Sequence, residues 1–203
     1  ANSPAHPGVE YRATFAPYRY DPSRAKRLLA EAGYPNGFAV NQWSPQGRYL
    51  KDREIAEAVQ GFLKDVGIQA RLQFHEWAPY LRTAAADPHT SDKGLYVFGR
   101  SSNFLDYHLW RLYHSSNVKS GGVGTSRNGY ASPEVDRLLE TARVTFDPRE
   151  RGALYRRAQQ LIWEDAPFLF LHAEGIVLGT RKNVEGVAVL SNQELQLAGA
   201  SKR

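Results

Sequence analysis

The sequence contains neither cysteine nor methionine among its 203 residues. Disulfides and thiolate-bound metals are therefore excluded, and a chain of this length can fold around a hydrophobic core without them. No run approaches the roughly 18 uncharged apolar residues that a membrane-spanning helix needs. The chain also opens without methionine and without a signal-peptide pattern, so we expect a fragment whose amino-terminal part lies elsewhere.

The sequence lacks the motifs that are characteristic of several classes of function. The histidines show no H-x-x-H spacing, so we predict no metal site and no cofactor; they are His6, His75, His89, His108, His114 and His172. Gly121–Gly124 lacks the context of a dinucleotide fingerprint, and neither Ser101 nor Ser126 lies in a G-x-S-x-G nucleophile motif, so no enzyme is predicted. The net charge of +5 comes from dispersed basic pairs and triplets, which does not indicate a nucleic-acid partner.

Residues 51–77 carry the clearest pattern. Apolar residues recur at steps of three and four, which predicts a helix with a buried stripe of Ile55, Ala58, Val59, Phe62, Leu63 and Val66. Gly67 is placed for a left-handed helix end, and the alternation over 68–75 predicts a half-buried strand. Trp77 follows this strand directly. Because ligand contacts gather at strand ends in α/β folds, Trp77 is a candidate ligand residue, with a plain core position as the alternative.

Three further helices share a start signal, Ser or Asp followed by Pro, at residues 21–22, 132–133 and 147–148. Their predicted buried residues are Ala25, Leu28, Leu29 and Ala32; Val135, Leu138, Leu139 and Ala142; and Ala153, Leu154, Ala158, Leu161 and Ile162. Shorter helices are predicted over 79–86 and 107–114, strands over 38–43, 95–98, 168–172 and 176–178, and a long loop over 115–129. Alternating strands and helices favour an α/β or mixed α+β class.

Five stretches together carry a resemblance to a known family. They are YDPSRAKRLLAEAGYPNGF (20–38), GRYLKDREIAEAVQGFLKDVGI (47–68), EWAPYL (76–81), NGYASPEVDRLLETA (128–142) and DPRERGALYRRAQQLIWEDAPFLFLH (147–172). In this order they resemble the carboxy-terminal half of the family 5 extracellular solute-binding proteins, the peptide/nickel-type binding components of ABC importers.

The resemblance implies an α/β, periplasmic-binding-protein-like (type II, cluster C) lobe with a mixed sheet flanked by helices. It divides the chain into a linker or arm (1–19), a ligand-binding lobe (20–178) and a return segment (179–203) that would pack on a missing amino-terminal lobe. The implied function is the binding of a peptide or similar small solute in an interlobe cleft, without catalysis. A free-standing interaction module of the same fold, without a transport role, is the alternative.

The resemblance also implies partners and a location. The partners would be the solute, an ABC permease in the membrane and the missing lobe of the same protein. The location would be periplasmic or extracytoplasmic, with a membrane anchor left open.

Site residues follow from the resemblance only where positions match. Trp77 occupies the place of the Trp in the family's E-W motif, which lines the peptide cleft. The family's G-W-x-x-D segment, whose aspartate binds a peptide amino terminus, has Arg100 in place of Trp and Asn103 in place of Asp, with Ser101 and Ser102 between them. A neutral amide cannot supply the charge-assisted hydrogen bond that an ammonium prefers, whereas Arg100 would add an anion-binding fork. We therefore expect either a ligand other than a generic free-amino peptide, or an amine that is held elsewhere.

The remaining candidates have strong structural alternatives. Asp106 matches a later acidic position of the family, for which a structural role is favoured. Arg48 precedes the 51–66 helix and could hold a ligand carboxylate near that helix's amino terminus, or simply be solvated. The alternative for Arg100 is a surface salt bridge, and for Asn103 a turn residue that bonds its own backbone.

Overall fold

A computed structural model describes residues 2–84, 94–100, 102–118, 128–190 and 194–203, without the side chain of Thr83. In these ranges the helices are α1 (Pro22–Glu31), α2 (Asp52–Asp65), α3 (Trp77–Ala84), α4 (Leu105–Tyr113), α5 (Pro133–Val144) and α6 (Pro148–Asp165). The strands are β1 (Ala39–Pro45), β2 (Gln69–His75), β3 (Leu95–Tyr96), β4 (Val184–Glu185), β5 (Ala188–Val189), β6 (Leu195–Gln196) and β7 (Ser201–Lys202). None of the described helices is both long and apolar enough to cross a bilayer.

The sheet that carries the fold is parallel. Its order is β2-β1-β3, so β1 lies in the centre, and the crossover from β1 to β2 runs through α2. This arrangement confirms the α/β class. The prediction of one mixed sheet is corrected for the described residues, because the antiparallel pairs β4–β7 and β5–β6 form separate two-stranded sheets.

Two glycines set the register of β1 against β2. Gly37 and Gly67 both adopt left-handed backbone, with φ of +71° and +95°, and a Cβ on Gly37 would lie only 1.9 Å from the Gly67 carbonyl oxygen. The two turns can approach this closely only because position 37 carries no side chain. Immediately beyond them the Gln69 amide donates to the Phe38 carbonyl at 2.8 Å, and the pairing of Ala39 with Gln69 begins.

The described residues fall into two compact units. The helical unit comprises those within 1–17, 100–118 and 130–203, and the sheet unit those within 18–99 and 119–129. The helical unit thus contains α4, α5 and α6, and the sheet unit contains α1, α2, α3 and the parallel sheet. The predicted division of the chain at residues 19 and 178 stays a prediction.

The core of the helical unit lies between α4, α5 and α6. The four predicted inward residues of α5 are all buried, which confirms that stripe: Val135, Leu138, Leu139 and Ala142. In α6 the prediction is only partly right, since Ala153 is exposed and Leu154 and Leu161 are half-buried. The buried face is instead rotated toward Tyr155, Gln159 and Trp163, together with Ala158 and Ile162.

The amino-terminal segment of the chain packs on this helical core. Residues 2–19 contain no helix or strand, as expected for an arm, but Ala5, Val9 and Ala13 are buried. The segment is held through its backbone: the Pro4 carbonyl lies 3.1 Å from His108 Nε2, and the Ala13 amide donates to Gln159 at 3.0 Å. Such anchoring needs no apolar period in the sequence, because backbone hydrogen bonds supplement the few buried side chains.

Two helices of the sheet unit are less buried than their patterns predict. No residue of α1 is buried, and Leu28 is exposed. In α2 the predicted stripe residues Ala58 and Phe62 are exposed, whereas Ala56 is fully buried. Amphipathic spacing identifies a helix and its apolar face, but only the position of the neighbouring elements decides how much of that face is covered.

The predicted strands at 168–172 and 176–178 are wrong, because neither segment is a strand in the structure. The alternating apolar residues of the first segment pack onto aromatic rings instead. Phe168 meets Tyr113 edge-on with ring centroids 5.7 Å apart, and Phe170 stacks on Trp163 at 5.3 Å. The middle of the predicted 115–129 loop, with Gly121–Gly124 and Ser126, lies outside the described residues, as do residues 85–86 of the helix predicted over 79–86.

Candidate functional site

The three parallel strands end at a common edge of the sheet, and candidate ligand residues follow each of them. Arg48 and Tyr49 follow β1, Trp77 follows β2, and Phe98 with Gly99 follows β3. The carboxyl edge of a parallel sheet is where open α/β folds bind ligands.

Four rings form a continuous cluster at this edge, which we call the aromatic edge: Tyr49, Trp77, Tyr80 and Phe98. Trp77 is its centre, with ring centroids 5.8 Å from Tyr49, 5.9 Å from Tyr80 and 5.6 Å from Phe98. Tyr80 is fully buried and its hydroxyl donates to the Val97 carbonyl, which anchors the cluster to the backbone after β3. Trp77 itself is half-buried, so it packs on the core and still keeps part of its ring in solvent.

Arg48 lies over the aromatic edge. Its guanidinium carbon is 5.0 Å from the ring centroids of both Tyr49 and Trp77, within the range of a cation–π interaction. The side chain is exposed, so its planar fork of donors is available to an anion from solvent. The structure thus brings two of the predicted site residues, Arg48 and Trp77, together around Tyr49.

A close approach to Gly99 fixes the position of the Tyr49 ring. The Gly99 amide donates to the Tyr49 hydroxyl at 2.9 Å. A Cβ at position 99 would lie 2.7 Å from Tyr49 Cε1, closer than real carbon contacts allow. A side chain at position 99 would therefore require the Tyr49 ring to move from this position.

The predicted site residues from 100 to 106 belong to the helical unit. Arg100 and Asn103 are half-buried, and Ser101 lies outside the described residues. Ser102 is buried; its hydroxyl accepts from the Phe104 amide at 3.1 Å and donates to the Phe104 carbonyl at 3.0 Å. This bonding makes Ser102 a turn residue at the start of α4.

Asp106 is engaged in a local network. Its carboxylate accepts from Arg143 Nε at 3.0 and 3.1 Å, and from the Tyr155 hydroxyl at 3.1 Å. Burial raises the pKa of the Tyr155 phenol well above its ordinary value, and the negative charge of Asp106 raises it further. The phenol therefore remains a donor to Asp106, which ties α4 to α5 and α6.

Sequence reasoning missed three members of the aromatic edge: Tyr49, Tyr80 and Phe98. Their signal was available in part, since Tyr49 adjoins Arg48 and Phe98 is the last residue of the strand predicted over 95–98. Within the described ranges, no group of three or more His, Asp or Glu residues is placed to hold a metal ion. The aromatic edge offers ring surfaces on which a ligand can stack. Arg48, which lies over it, offers a cation that can pair with an anion.

Comparisons with known proteins identify the family of the chain. The family model described as "Bacterial extracellular solute-binding proteins, family 5 Middle" matches residues 1–120. The glutathione-binding protein GsiB of Salmonella paratyphi A is 30% identical over 188 residues, which cover 91% of this chain and 36% of that protein. The chain thus spans about a third of the length of the curated relatives it matches.

Two solved structures have the same fold over most of the chain. The periplasmic binding protein DppA of Helicobacter pylori, in complex with peptide STSA, is 29% identical, with a TM-score of 0.71 over 82% of this chain and 32% of that one. A dipeptide-binding protein of Pseudoalteromonas sp. SM9913, in complex with Met-Leu, is 26% identical, with a TM-score of 0.76 over 100% of this chain and 40% of that one.

The family is defined by solute binding rather than by a reaction. Its members are non-catalytic proteins of the periplasm or the extracellular space that work with ABC transporters. Because the family model matches more than half of the sequence, the chain belongs to the bacterial extracellular solute-binding proteins of family 5.

Proposed function

We propose that this chain is the carboxy-terminal part of the substrate-binding component of an ABC importer. It binds a small peptide or a similar solute without catalysing a reaction. The observation that carries the proposal is the exposed Arg48 guanidinium over Tyr49 and Trp77, at the edge where all three parallel strands end. Support also comes from relatives whose names and complexes identify glutathione, the peptide STSA and the dipeptide Met-Leu as ligands of those proteins.

The solute carries a carboxylate in this proposal. Arg48 pairs with it through two parallel N–H donors, while Trp77 stacks against the adjoining part of the solute. A guanidinium that already lies over two rings gives up little conformational freedom when the anion arrives, which favours binding.

The amino group of the solute is a separate question. Asn103, unlike an aspartate, offers no negative charge to an ammonium, and Arg100 adds a positive one. We propose that a free amino terminus gains little from Asn103 or Arg100, so that a solute with a blocked or absent amine binds as well as one with a free amine.

The partners and the location are part of the same proposal. Closure of two lobes around the solute would present it to an ABC permease, and only a difference in affinity between the open and closed states can drive that closure. The second lobe would come from the same protein, which would work in the periplasm or at the outer face of a membrane, where an amino-terminal anchor could hold it.

Calorimetry on the full-length protein tests the proposal. The ligands are glutathione and Met-Leu, each also with amidated carboxyl groups or an acetylated amine. We expect Arg48→Ala and amidation each to weaken binding about 10–100-fold, because a charged hydrogen-bonded contact is lost, whereas acetylation has little effect. Trp77→Ala should weaken binding of every probe.

The matched control is Arg53→Ala. Arg53 also lies over a ring, with its guanidinium carbon 4.4 Å from the Phe74 centroid, but it pairs with Glu57, and neither Phe74 nor Glu57 belongs to the aromatic edge. Its loss should leave the affinity unchanged. Absence of binding by every probe would contradict the proposal and favour the alternative, an interaction module without a transport role.

A further inference from the structure

The loop before α2 is held by one buried carboxylate. Asp52, only 5% exposed, stands in the first turn of α2. Its Oδ2 accepts from the Arg48 amide at 2.9 Å and from the Tyr49 amide at 3.2 Å, and its Oδ1 accepts from the Arg53 amide at 2.9 Å. One side chain thus accepts hydrogen bonds from the backbone amides of both Arg48, which lies over the aromatic edge, and Tyr49, which belongs to it.

The same loop is held from its other side as well. The Tyr49 hydroxyl accepts from the Gly99 amide, so the Tyr49 backbone is tied to α2 and its ring to the segment after β3. Between Tyr49 and Asp52 the chain turns through Lys51, which adopts a left-handed φ of +57°. A non-glycine residue in that conformation indicates that the surrounding contacts impose the loop geometry.

We propose that Asp52 is a positioning residue for ligand binding. It does not touch the ligand: it fixes the Arg48–Tyr49 backbone so that the guanidinium stays over Trp77 before the ligand arrives. Without this anchor, part of the binding free energy would be used to order the loop, and affinity would fall although every ligand-contacting side chain remained. This inference rests on the proposed function, because it assumes that Arg48 meets the ligand.

A purely structural role for Asp52 predicts a different outcome. A carboxylate in the first turn of a helix also stabilises the helix through its dipole. In that case Asp52→Asn would lower the free energy of unfolding but leave the affinity of the folded protein unchanged. Affinity, measured on protein shown to be folded, is therefore the readout that separates the two roles.

The experiment is a double-mutant cycle between Asp52→Asn and Arg48→Ala in the full-length protein, with glutathione and Met-Leu as probes. We expect Asp52→Asn alone to weaken binding of the free carboxylates about tenfold. It should cause no further loss in the Arg48→Ala background or with amidated probes, because it acts through Arg48. Asp52→Ser, whose shorter side chain cannot reach the Arg48 and Tyr49 amides as the carboxylate does, should weaken binding at least as much as Asp52→Asn, and provides a second variant if Asp52→Asn does not fold.

Glu54→Gln is the matched control, since it removes an acid from the same first turn and is exposed. Its affinity should equal that of the wild type. If Asp52→Asn binds like the wild type, or weakens binding equally in the Arg48→Ala background, the positioning role is overturned while the proposed function stands. If Arg48→Ala and Trp77→Ala leave binding unchanged, or no probe binds, the proposed site itself fails and the positioning role fails with it.

Discussion

A single glutamine shows how one residue can order a segment that has no secondary structure. Gln159 is fully buried in α6. Its Oε1 accepts from the Ala13 amide, and its Nε2 donates to the carbonyls of Tyr11 and Tyr155, each at 3.0 Å. A buried amide with all these bonds satisfied adds to the few apolar contacts of the amino-terminal segment, which has no regular hydrophobic stripe.

Gln159→Leu should therefore destabilise the protein by about 3 kcal/mol, because the Ala13 amide and the Tyr11 carbonyl would lose their partners in the interior. Urea denaturation of the full-length protein, followed by circular dichroism, measures the change. Gln160→Leu is the control on the same helix: it loses only an exposed bond to Glu164 and should cost a few tenths of a kcal/mol. Equal losses for the two variants would show that Gln159 does not hold the segment.

At the scale of the element, the amino-terminal caps define where the long helices begin. Asp147 Oδ1 accepts from the amides of Arg149 and Glu150 at 3.0 and 2.8 Å, and Pro148 occupies the first helical position of α6. Ser132 caps α5 through a single, longer contact of 3.4 Å to the Val135 amide. The two helices carry the same sequence signal but differ in the strength of the cap.

We expect Asp147→Ala to lower the free energy of unfolding by about 1 kcal/mol, and Ser132→Ala by less, because the serine satisfies one donor at a longer distance. Asp147→Asn keeps an acceptor oxygen and should retain most of the stability. Thermal and urea unfolding of the three variants, under the same conditions as the wild type, provide the comparison. A larger loss for Ser132→Ala would mean that the cap distances do not predict the energies.

At the scale of the whole molecule, we expect low pH to destabilise the folded state through a buried histidine that joins distant parts of the chain. His108 lies in α4 and its Nε2 donates to the carbonyl of Pro4, which requires the proton on that nitrogen. The pKa of His108 is lowered from 6.5 to about 4, chiefly by burial; the hydrogen bond to the Pro4 carbonyl opposes this shift, and the nearby His6 and Arg100 add to it. The folded protein thus binds this proton more weakly than the unfolded chain does.

The sign of the pH dependence follows from this difference. Above pH 6.5 His108 is neutral in both the folded and the unfolded state, so its titration does not change the free energy of unfolding. Between pH 6.5 and about 4 the unfolded chain binds a proton at this histidine that the folded state does not bind. Over that interval the wild type should lose about 3 kcal/mol more stability than His108→Gln, whose amide can still donate to the Pro4 carbonyl. Urea unfolding of both proteins at several pH values gives the difference, in which the contributions of the carboxylates cancel. A difference that does not change with pH would contradict the prediction.

Local patterns were sufficient for much of the architecture. The Ser-Pro and Asp-Pro signals located α1, α5 and α6, and the change from helical to alternating period located α2 and β2. These features depend on interactions within a few residues, such as caps, glycine turns and side-chain spacing, so the sequence carries them without knowledge of the neighbours. The same spacing placed Trp77 at the end of a strand and Arg48 just before a helix.

Contacts between distant segments could not be derived in this way. The alternation at 168–172 was compatible with a strand, but a strand needs a partner, and the rings of Phe168 and Phe170 pack on Tyr113 and Trp163 instead. The aromatic edge likewise depends on the parallel order β2-β1-β3, which brings the ends of three separate strands to one place. The sequence alone thus determined the elements and the types of residue at their ends, whereas the tertiary structure decided which ends meet, because burial and register are properties of pairs of segments rather than of any one segment.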